Sequence, residues 1–195
     1  MAESLIQKLE YEAYRAGVQA RTQEARDWFQ KKLKDMGSIN RQNLLKDPAL
    51  IKKNKFGIGN MYMFFYDPKH RATLPYYDSF PLTIIVDKAP GGFYGLNLHY
   101  LPPTLRAKLF DALLATTNNK KYDETTKFKI NYQLLNSLKS AKYFKPCFKH
   151  YLTKQVDSQI VMVDSPEWEI AMYMPTEQFN KASARQVWKE SRSMI

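Results

Sequence analysis

The stretch GNMYMFFYDPKHRATLPYYDSFPLTIIVDKAPGGFYGLNLHYL, residues 59–101, decides the fold that the sequence predicts. It contains three apolar, aromatic-rich runs, at 61–66, 82–86 and 93–101, and segments with Pro, Gly and Asp separate them. Short runs rich in Ile, Val, Tyr and Phe between such turn residues are typical of β-strands. The stretch therefore predicts a β-sheet.

Two further strands are predicted at 159–163 and 169–174, with a proline-containing turn between them. Between the two groups of strands, residues 105–117 have the period of an amphipathic helix, and residues 123–154 are also predicted to be helical. The sequence therefore predicts an α+β fold. Its body is a small five-stranded, SH3-like, partly closed β-barrel at 59–175, with a helical insertion at about 103–155.

Residues 1–37 are predicted to form a long N-terminal helical arm. Residues 4–36 contain no proline and one glycine, and their apolar side chains recur in steps of four and three along one helical face. The first half of this face is narrow and rich in alanine, which lets another helix approach closely. We expect the arm to dock on a partner; the alternative is that it folds back over the sheet. The predicted interface residues on this face are Leu5, Leu9, Ala13, Ala16 and Ala20.

Two basic segments flank the predicted barrel. Residues 38–58 predict a basic connector, and residues 176–195 predict a C-terminal basic helix, or a tail that becomes ordered on a neighbour. Aromatic residues are preferred anchors of protein interfaces, and the loop at 74–80 is predicted to expose several of them. The predicted interface residues in the loop and in the C-terminal segment are Tyr76, Tyr77, Phe80, Phe179 and Trp188.

The charge balance is strongly basic. Among 195 residues, 30 Lys and Arg stand against 19 Asp and Glu, which gives a net charge of +11. This favours contact with nucleic acid, an anionic surface or an acidic protein, although the same charge could be scattered over a solvated surface. In residues 120–154, lysines alternate with aromatic residues, which suits either a nucleic-acid groove or helices with an aromatic inner face. The candidate nucleic-acid contacts are Lys120, Lys121, Lys127, Lys139, Lys142, Lys145, Lys149, Arg185 and Lys189.

Patterns of known catalytic or metal sites are missing from the sequence. The single cysteine, Cys147, excludes an internal disulfide, and the three histidines have no metal-ligand spacing. No glycine-rich phosphate loop or nucleophile elbow is present. Asp67, Asp78 and Asp87 could bind a metal in a nuclease, but their places at strand ends and turns suit backbone capping better. We therefore predict no catalysis, cofactor or metal, and a structural, hydrogen-bonded role for His99.

The amino-acid sequence of two segments, residues 61–113 and 168–192, resembles that of small virion proteins of T-even-type, contractile-tailed phages. The short sequence motifs that carry the resemblance include Tyr-Asp-Pro-Lys, Leu-Pro-Tyr-Tyr-Asp and Gly-Leu-Asn-Leu-His-Tyr-Leu. They cover about half of the chain and carry no catalytic residue. The resemblance implies a structural component of the virion, in the tail or baseplate, that is fixed in a symmetric assembly.

Three hypotheses follow. The first is a non-enzymatic tail or baseplate component, made in the host cytoplasm, that joins other virion proteins as a homo- or hetero-oligomer. The second is a basic DNA-binding protein that acts at phage genome ends, in the neck or during packaging. The third is a metal-dependent nuclease. No apolar run approaches the ~18 residues of a membrane span, so no such span is expected, and no signal peptide is expected at the N-terminus.

Overall fold

The computed structural model describes residues 5–19, 22–48, 50–117, 133 and 142–193. Helices and an antiparallel sheet are both present, so the predicted α+β class is confirmed. The helices are α1 (Leu5–Arg15), α2 (Gln23–Asp35), α3 (Arg41–Lys46), α4 (Pro103–Thr117), α5 (Trp168–Tyr173) and α6 (Ala184–Ser193). The strands are β1 (Ile51–Lys53), β2 (Met61–Met63), β3 (Tyr77–Asp78), β4 (Leu82–Ala89), β5 (Gly92–Asn97), β6 (Phe148–Leu152), β7 (Ile160–Val163) and β8 (Phe179–Asn180).

Six strands form one sheet in the order β1-β7-β2-β4-β5-β6, and all neighbouring pairs are antiparallel. In the described part of the chain β1 and β6 are the edge strands, so the sheet does not close into a barrel. β3 and β8 form a separate two-stranded ribbon. The sheet thus has six strands where five were predicted. β1 is three residues long in a basic segment, and β6 lies in a lysine-rich run that was predicted to be helical.

Side chains alternate between the two faces of the sheet, and each face has its own apolar cluster. The larger cluster joins one face to the helices and includes Met61, Ile84 and Leu96. Burying a side chain of this kind stabilises the fold by roughly 1.5–3 kcal/mol. The smaller, aromatic cluster lies on the other face, against Phe56 and Ile58. It contains Tyr62, Phe64, Tyr66, Ile85, Phe93 and Tyr151.

The N-terminal segment forms two helices, so the prediction of one long helix was wrong. α1 ends at Arg15, and Gly17 follows with a φ of +74°, a conformation that favours glycine. α2 begins after Thr22, whose hydroxyl accepts a hydrogen bond from the backbone N–H of Ala25 at 3.1 Å. Both helices contact α5, and their apolar faces belong to the larger core cluster. This matches the alternative in which the segment folds back over the sheet.

Residues 169–174, predicted as a strand, lie mostly in α5. After Glu169 the run has no charged residue, and residues 169–173 are all buried. A short apolar run cannot distinguish a buried strand from a buried helix by period alone. Here a 3-10 turn at Ser165–Glu167 leads directly into the helix, which packs against α2 and α4.

One arginine ties these three helices together. Arg26 of α2 forms a bidentate ion pair with Asp111 of α4 and lies 3.5 Å from the Glu169 carboxylate of α5. Arg26 and Glu169 are both buried. The hydrogen bonds to Asp111 raise the pKa of Arg26, so this buried cation keeps its charge.

The predicted connector and insertion also differ from the structure. Residues 38–58 contain α3 and β1, so this segment contributes a strand to the main sheet. In the predicted insertion, α4 is helical, whereas residues 148–152 form β6. Residues 118–132 and 134–141 lie outside the described residues.

Candidate functional site

A cleft with a volume of about 470 Å³ lies between the edge strand β6 and the loop that connects β2 to β3. Its walls are aromatic, with a few basic groups. The tyrosines that line it are Tyr66, Tyr76, Tyr77, Tyr100 and Tyr151, and the basic side chains are Lys69, His70, Lys149 and His150. Asp78 is the one carboxylate among the lining residues that the structure describes.

Strand β6 carries one wall of the cleft because glycines in β5 let it come close. Tyr151 pairs with Phe93 and Lys149 with Gly95. A Cβ atom at Gly92 would collide with the carbonyl oxygen of Tyr151. The backbone N–H of Leu152 donates a hydrogen bond to the Tyr66 hydroxyl at 3.1 Å, which links β6 to the start of the opposite loop.

Lys149 is a half-buried cation in this cleft. Its Nζ lies 3.9 Å from the centre of the Tyr100 ring, a cation–π contact. No carboxylate of the described residues lies within ion-pair distance of it. Burial lowers the pKa of Lys149 from its ordinary value, and the negative charge of Asp78 acts in the opposite sense. Lys149 therefore shares the cleft with the Asp78 charge, but it forms no direct ion pair with any of the described residues.

A buried hydrogen-bond network supports the cleft from below. The Oδ2 atom of Asp78 lies 2.7 Å from Nδ1 of His99 and accepts a hydrogen bond from Asn97 at 3.0 Å. An ionised carboxylate can only accept, so the His99 Nδ1 carries the proton. Asn97 also donates to the Tyr151 hydroxyl at 3.0 Å, and the other His99 nitrogen lies 3.1 Å from the Thr176 hydroxyl.

The Oδ1 atom of Asp78 holds the backbone on both sides of the ribbon. It accepts hydrogen bonds from the N–H groups of Phe80 at 3.0 Å and Gln178 at 3.1 Å. Burial alone would raise the pKa of Asp78, but the charge and hydrogen bond of His99, with the other donors, outweigh it and the pKa is lowered. Asp78 is therefore ionised, and its carboxylate holds the surrounding backbone and side chains in place.

Four of the tyrosines in the cleft have raised pKa values and are neutral. Burial is the main reason that the pKa values of Tyr66, Tyr76, Tyr100 and Tyr151 all lie above the ordinary value. Their rings therefore present uncharged aromatic surface beside a cation.

Lys181 holds together the loop between β2 and β3, which forms the wall of the cleft opposite β6. Its Nζ donates hydrogen bonds to the carbonyl oxygens of Arg71 at 2.6 Å, Ala72 at 3.0 Å and Leu74 at 3.0 Å. Lys181 follows β8, so the C-terminal segment fixes this loop in two ways, through the ribbon and through the lysine.

The structure places many of the predicted interface residues inside the chain itself. Leu9, Ala13 and Phe80 are buried, and Leu5 packs partly against the core. Ala16 is exposed, and Ala20 lies outside the described residues. The docking role of the N-terminal face therefore cannot rest on Leu9 or Ala13, whose side chains are already enclosed.

The aromatic loop and the C-terminal anchors are also internal. Tyr76 and Tyr77 are half-buried in the cleft rather than exposed at a loop tip, because β3 pairs with β8. The Phe179 ring packs edge-to-face on Tyr100. The indole N–H of Trp188 donates to the carbonyl of His99 at 2.8 Å, so α6 is bound to its own chain.

The predicted nucleic-acid contacts are only partly brought together. Lys149 lines the cleft, Lys145 is exposed just before β6, and Arg185 and Lys189 are exposed on α6. Lys142 begins the 3-10 turn that leads into β6. Lys120, Lys121, Lys127 and Lys139 lie outside the described residues.

The sequence did not identify the cleft as a site. Lys69 and His70 follow a Tyr-Asp-Pro turn, and Lys149 and His150 are neighbours in β6. The two pairs are about 80 residues apart in the chain, so nothing in the sequence connects them. The signal that could have found them is the Lys-His-Tyr run at 149–151, had it been recognised as a strand with alternating faces.

The three aspartates considered for a nuclease each make a structural contact, and the carboxylate of Asp87 accepts a hydrogen bond from the backbone N–H of Lys88 at 2.8 Å. Asp67 pairs with Arg71 at the surface, and Asp78 is enclosed in the buried network. Among the residues that the structure describes, no three His, Cys, Asp or Glu side chains are grouped closely enough to hold a metal ion. Cys147 is buried, and burial raises its pKa to about 12. None of the described helices combines the length and the apolar character that a membrane crossing requires.

Fold and site together define an α+β protein with a tyrosine-lined, basic cleft at one edge of an open sheet. The comparison with protein families then gives the particular family. The family model described as phage T4 terminal DNA protecting protein matches residues 1–191. The chain therefore belongs to this family. No curated protein and no solved structure matches the chain.

The family corrects the main functional prediction. The expected T4-like phage origin is confirmed, but the predicted tail or baseplate role was wrong, because the matching family is one of DNA protecting proteins. That prediction relied on short shared sequence motifs that have no known functional role. The family fits the second hypothesis, a DNA-binding protein at genome ends, better than the first.

Proposed function

We propose that this chain binds the ends of double-stranded phage DNA and protects them, and that it does so by binding rather than by catalysis. The observation that carries the proposal is the match of residues 1–191 to the family of terminal DNA protecting proteins. The net charge of +11 supports it, because lysine and arginine neutralise phosphates and release their counterions. The half-buried Lys149 in an aromatic cleft supports it further.

We also propose where the protein acts. Its site of action is the ends of the packaged genome in the virion, after synthesis in the host cytoplasm. Its neighbours there are the DNA and other virion proteins. The exposed Lys145, Arg185 and Lys189 are the described members of the predicted DNA-contact set that remain on the surface, and in this proposal they meet the phosphate backbone.

A competition experiment tests end binding. The full-length protein is bound to a fluorescently labelled linear duplex, and one plasmid is added as competitor, either linearised or as a relaxed, covalently closed circle of equal mass. The linear form should compete more strongly, and the protein should slow the digestion of linear duplex by an added exonuclease. Binding should weaken steeply with salt, because each released counterion adds to the slope. Equal competition by the circle would contradict the proposal.

A further inference from the structure

The cleft along β6 has the size of a pocket for a small group rather than for a double helix. Its volume of about 470 Å³ lies within the range of roughly 300–1,000 Å³ that is typical of small-molecule sites. It is also rigidly built, since Tyr66 is hydrogen-bonded to β6 and Tyr151 to Asn97. A ligand would meet surfaces that are already in place.

The walls of the cleft supply both contacts that a nucleotide needs. Tyr76 and Tyr77 are half-buried and line the cleft, and the Tyr76 ring lies next to that of Tyr100. Aromatic rings of this kind stack on any base. Lys149 stands on the Tyr100 ring without a carboxylate partner among the described residues. A phosphate beside a stacked base would place an anion next to this cation.

Double-stranded DNA offers such a base only at its ends. Inside a duplex, each base is covered above and below by its neighbours, so a tyrosine cannot reach its face. At an end, an unpaired or frayed nucleotide has a free face and a flanking phosphate. The cost of unstacking is small where the base is already single-stranded.

We propose that the cleft between β6 and the loop at 66–77 binds an unpaired terminal nucleotide of a DNA strand, with its base on the Tyr76 ring and its phosphate on Lys149. This inference rests on the proposed function and adds the part of the DNA that is recognised. It also names the residues that distinguish an end from the rest of the duplex.

Anisotropy titrations of the full-length protein with two labelled duplexes test this. Each duplex carries a single-stranded extension of four nucleotides, which consists of thymidines in one duplex and of abasic sites in the other. Both duplexes are prepared in two forms, one with the extension at a 3′ end and one with it at a 5′ end. The native protein should bind the thymidine extension about 5-fold to about 100-fold more tightly for at least one of the two polarities. Equal affinity for thymidine and abasic extensions at both ends would overturn the proposal.

Substitutions in the cleft separate its two contacts. Tyr76→Ala should abolish the preference for bases. Tyr76→Phe should keep it, because the hydroxyl serves the contact with Glu190 rather than the stacking surface. Lys149→Gln should weaken binding to both duplexes by a similar factor and lower the salt slope by about one charge. The matched control is Lys53→Gln, an exposed lysine on the opposite edge strand, which should keep the base preference.

The outcomes distinguish this inference from the proposed function. If the protein prefers linear to circular DNA while Tyr76→Ala and Lys149→Gln behave like the native protein, end binding stands and the cleft is not its site. If the native protein does not distinguish linear from circular DNA, the proposed function itself fails. Circular dichroism melts of each variant exclude unfolding as the cause, and Tyr76→Phe reports on the ring where Tyr76→Ala does not fold.

Discussion

Asp78 is the residue whose loss should destabilise this fold most clearly. Its carboxylate accepts two hydrogen bonds from side chains and two from backbone N–H groups. Asp78→Ala would remove the partner of His99 and of Asn97 while both remain enclosed. Removing one partner from a buried, hydrogen-bonded charged pair costs about 3 to 5 kcal/mol. That is a large part of the ~5–15 kcal/mol by which a typical domain is stable.

Urea unfolding at pH 7, followed by circular dichroism, measures this loss. Asp78→Asn keeps one oxygen for the backbone N–H groups, so we expect a smaller loss of about 1–3 kcal/mol. The matched control is Asp67→Ala, since Asp67 is a partly exposed carboxylate that pairs with Arg71 at the surface. That change should cost less than about 1 kcal/mol. A loss for Asp78→Ala no greater than that of the control would refute the role of the network.

The same carboxylate makes the fold sensitive to acid. The pKa of Asp78 is lower in the folded chain than its ordinary value, because the His99 charge and the hydrogen bonds outweigh burial. Its contribution is therefore fully present above the unfolded pKa of about 3.9 and is lost as the pH falls through the folded pKa. Urea midpoints measured from pH 7 downwards should fall less steeply in Asp78→Asn than in the native protein below about pH 4.

Three further substitutions test how the core is held together. Gly92→Ala should lower the unfolding free energy by about 1–3 kcal/mol, because the added methyl group meets the carbonyl of Tyr151 and forces β5 and β6 apart; urea unfolding measures it. Arg106→Met should cost about 1–3 kcal/mol, since it removes the side-chain donor to the enclosed carbonyl groups of Leu101 and Met172; an unchanged midpoint would contradict this. Arg26→Met should cost about 3 kcal/mol, and adding Glu169→Gln should recover part of it, because the side chain that has lost the Arg26 charge nearby is then neutral; a double-mutant cycle checks that recovery.

The strands of the opening stretch could be predicted because their side-chain pattern is local. β2, β4 and β5 follow from short apolar runs between turn residues, and α4 follows from its helical period. The break between α1 and α2 was missed, although Gly17 marks it, because the apolar period resumes after a slip of one residue. α5 was assigned to the wrong class since burial on all sides removes the polar face that gives a helix its period.

The site could not be predicted because it depends on pairing between distant parts of the chain. The loop at 74–80 has aromatic residues that suit an exposed interface equally well. What encloses them is the ribbon of β3 and β8, which joins residues about 100 positions apart. The contact of Lys149 with Tyr100 likewise needs β6 to be a strand beside β5. A pattern within one segment carries no information on either pairing.

The tyrosine side chains of the cleft are held in place before any ligand binds, and this should favour the recognition of a DNA end. Tyr66 and Tyr151 are held by hydrogen bonds to their hydroxyl groups, and the hydroxyl of Tyr76 is hydrogen-bonded to Glu190 of α6. Immobilising a free side chain on binding costs about 0.5–1.5 kcal/mol. Rings that are already fixed avoid that cost, so more of the stacking energy remains for affinity. The ionised Asp78 and its partners hold the residues behind these rings, and in this way a network with no catalytic task would serve the recognition of a DNA end.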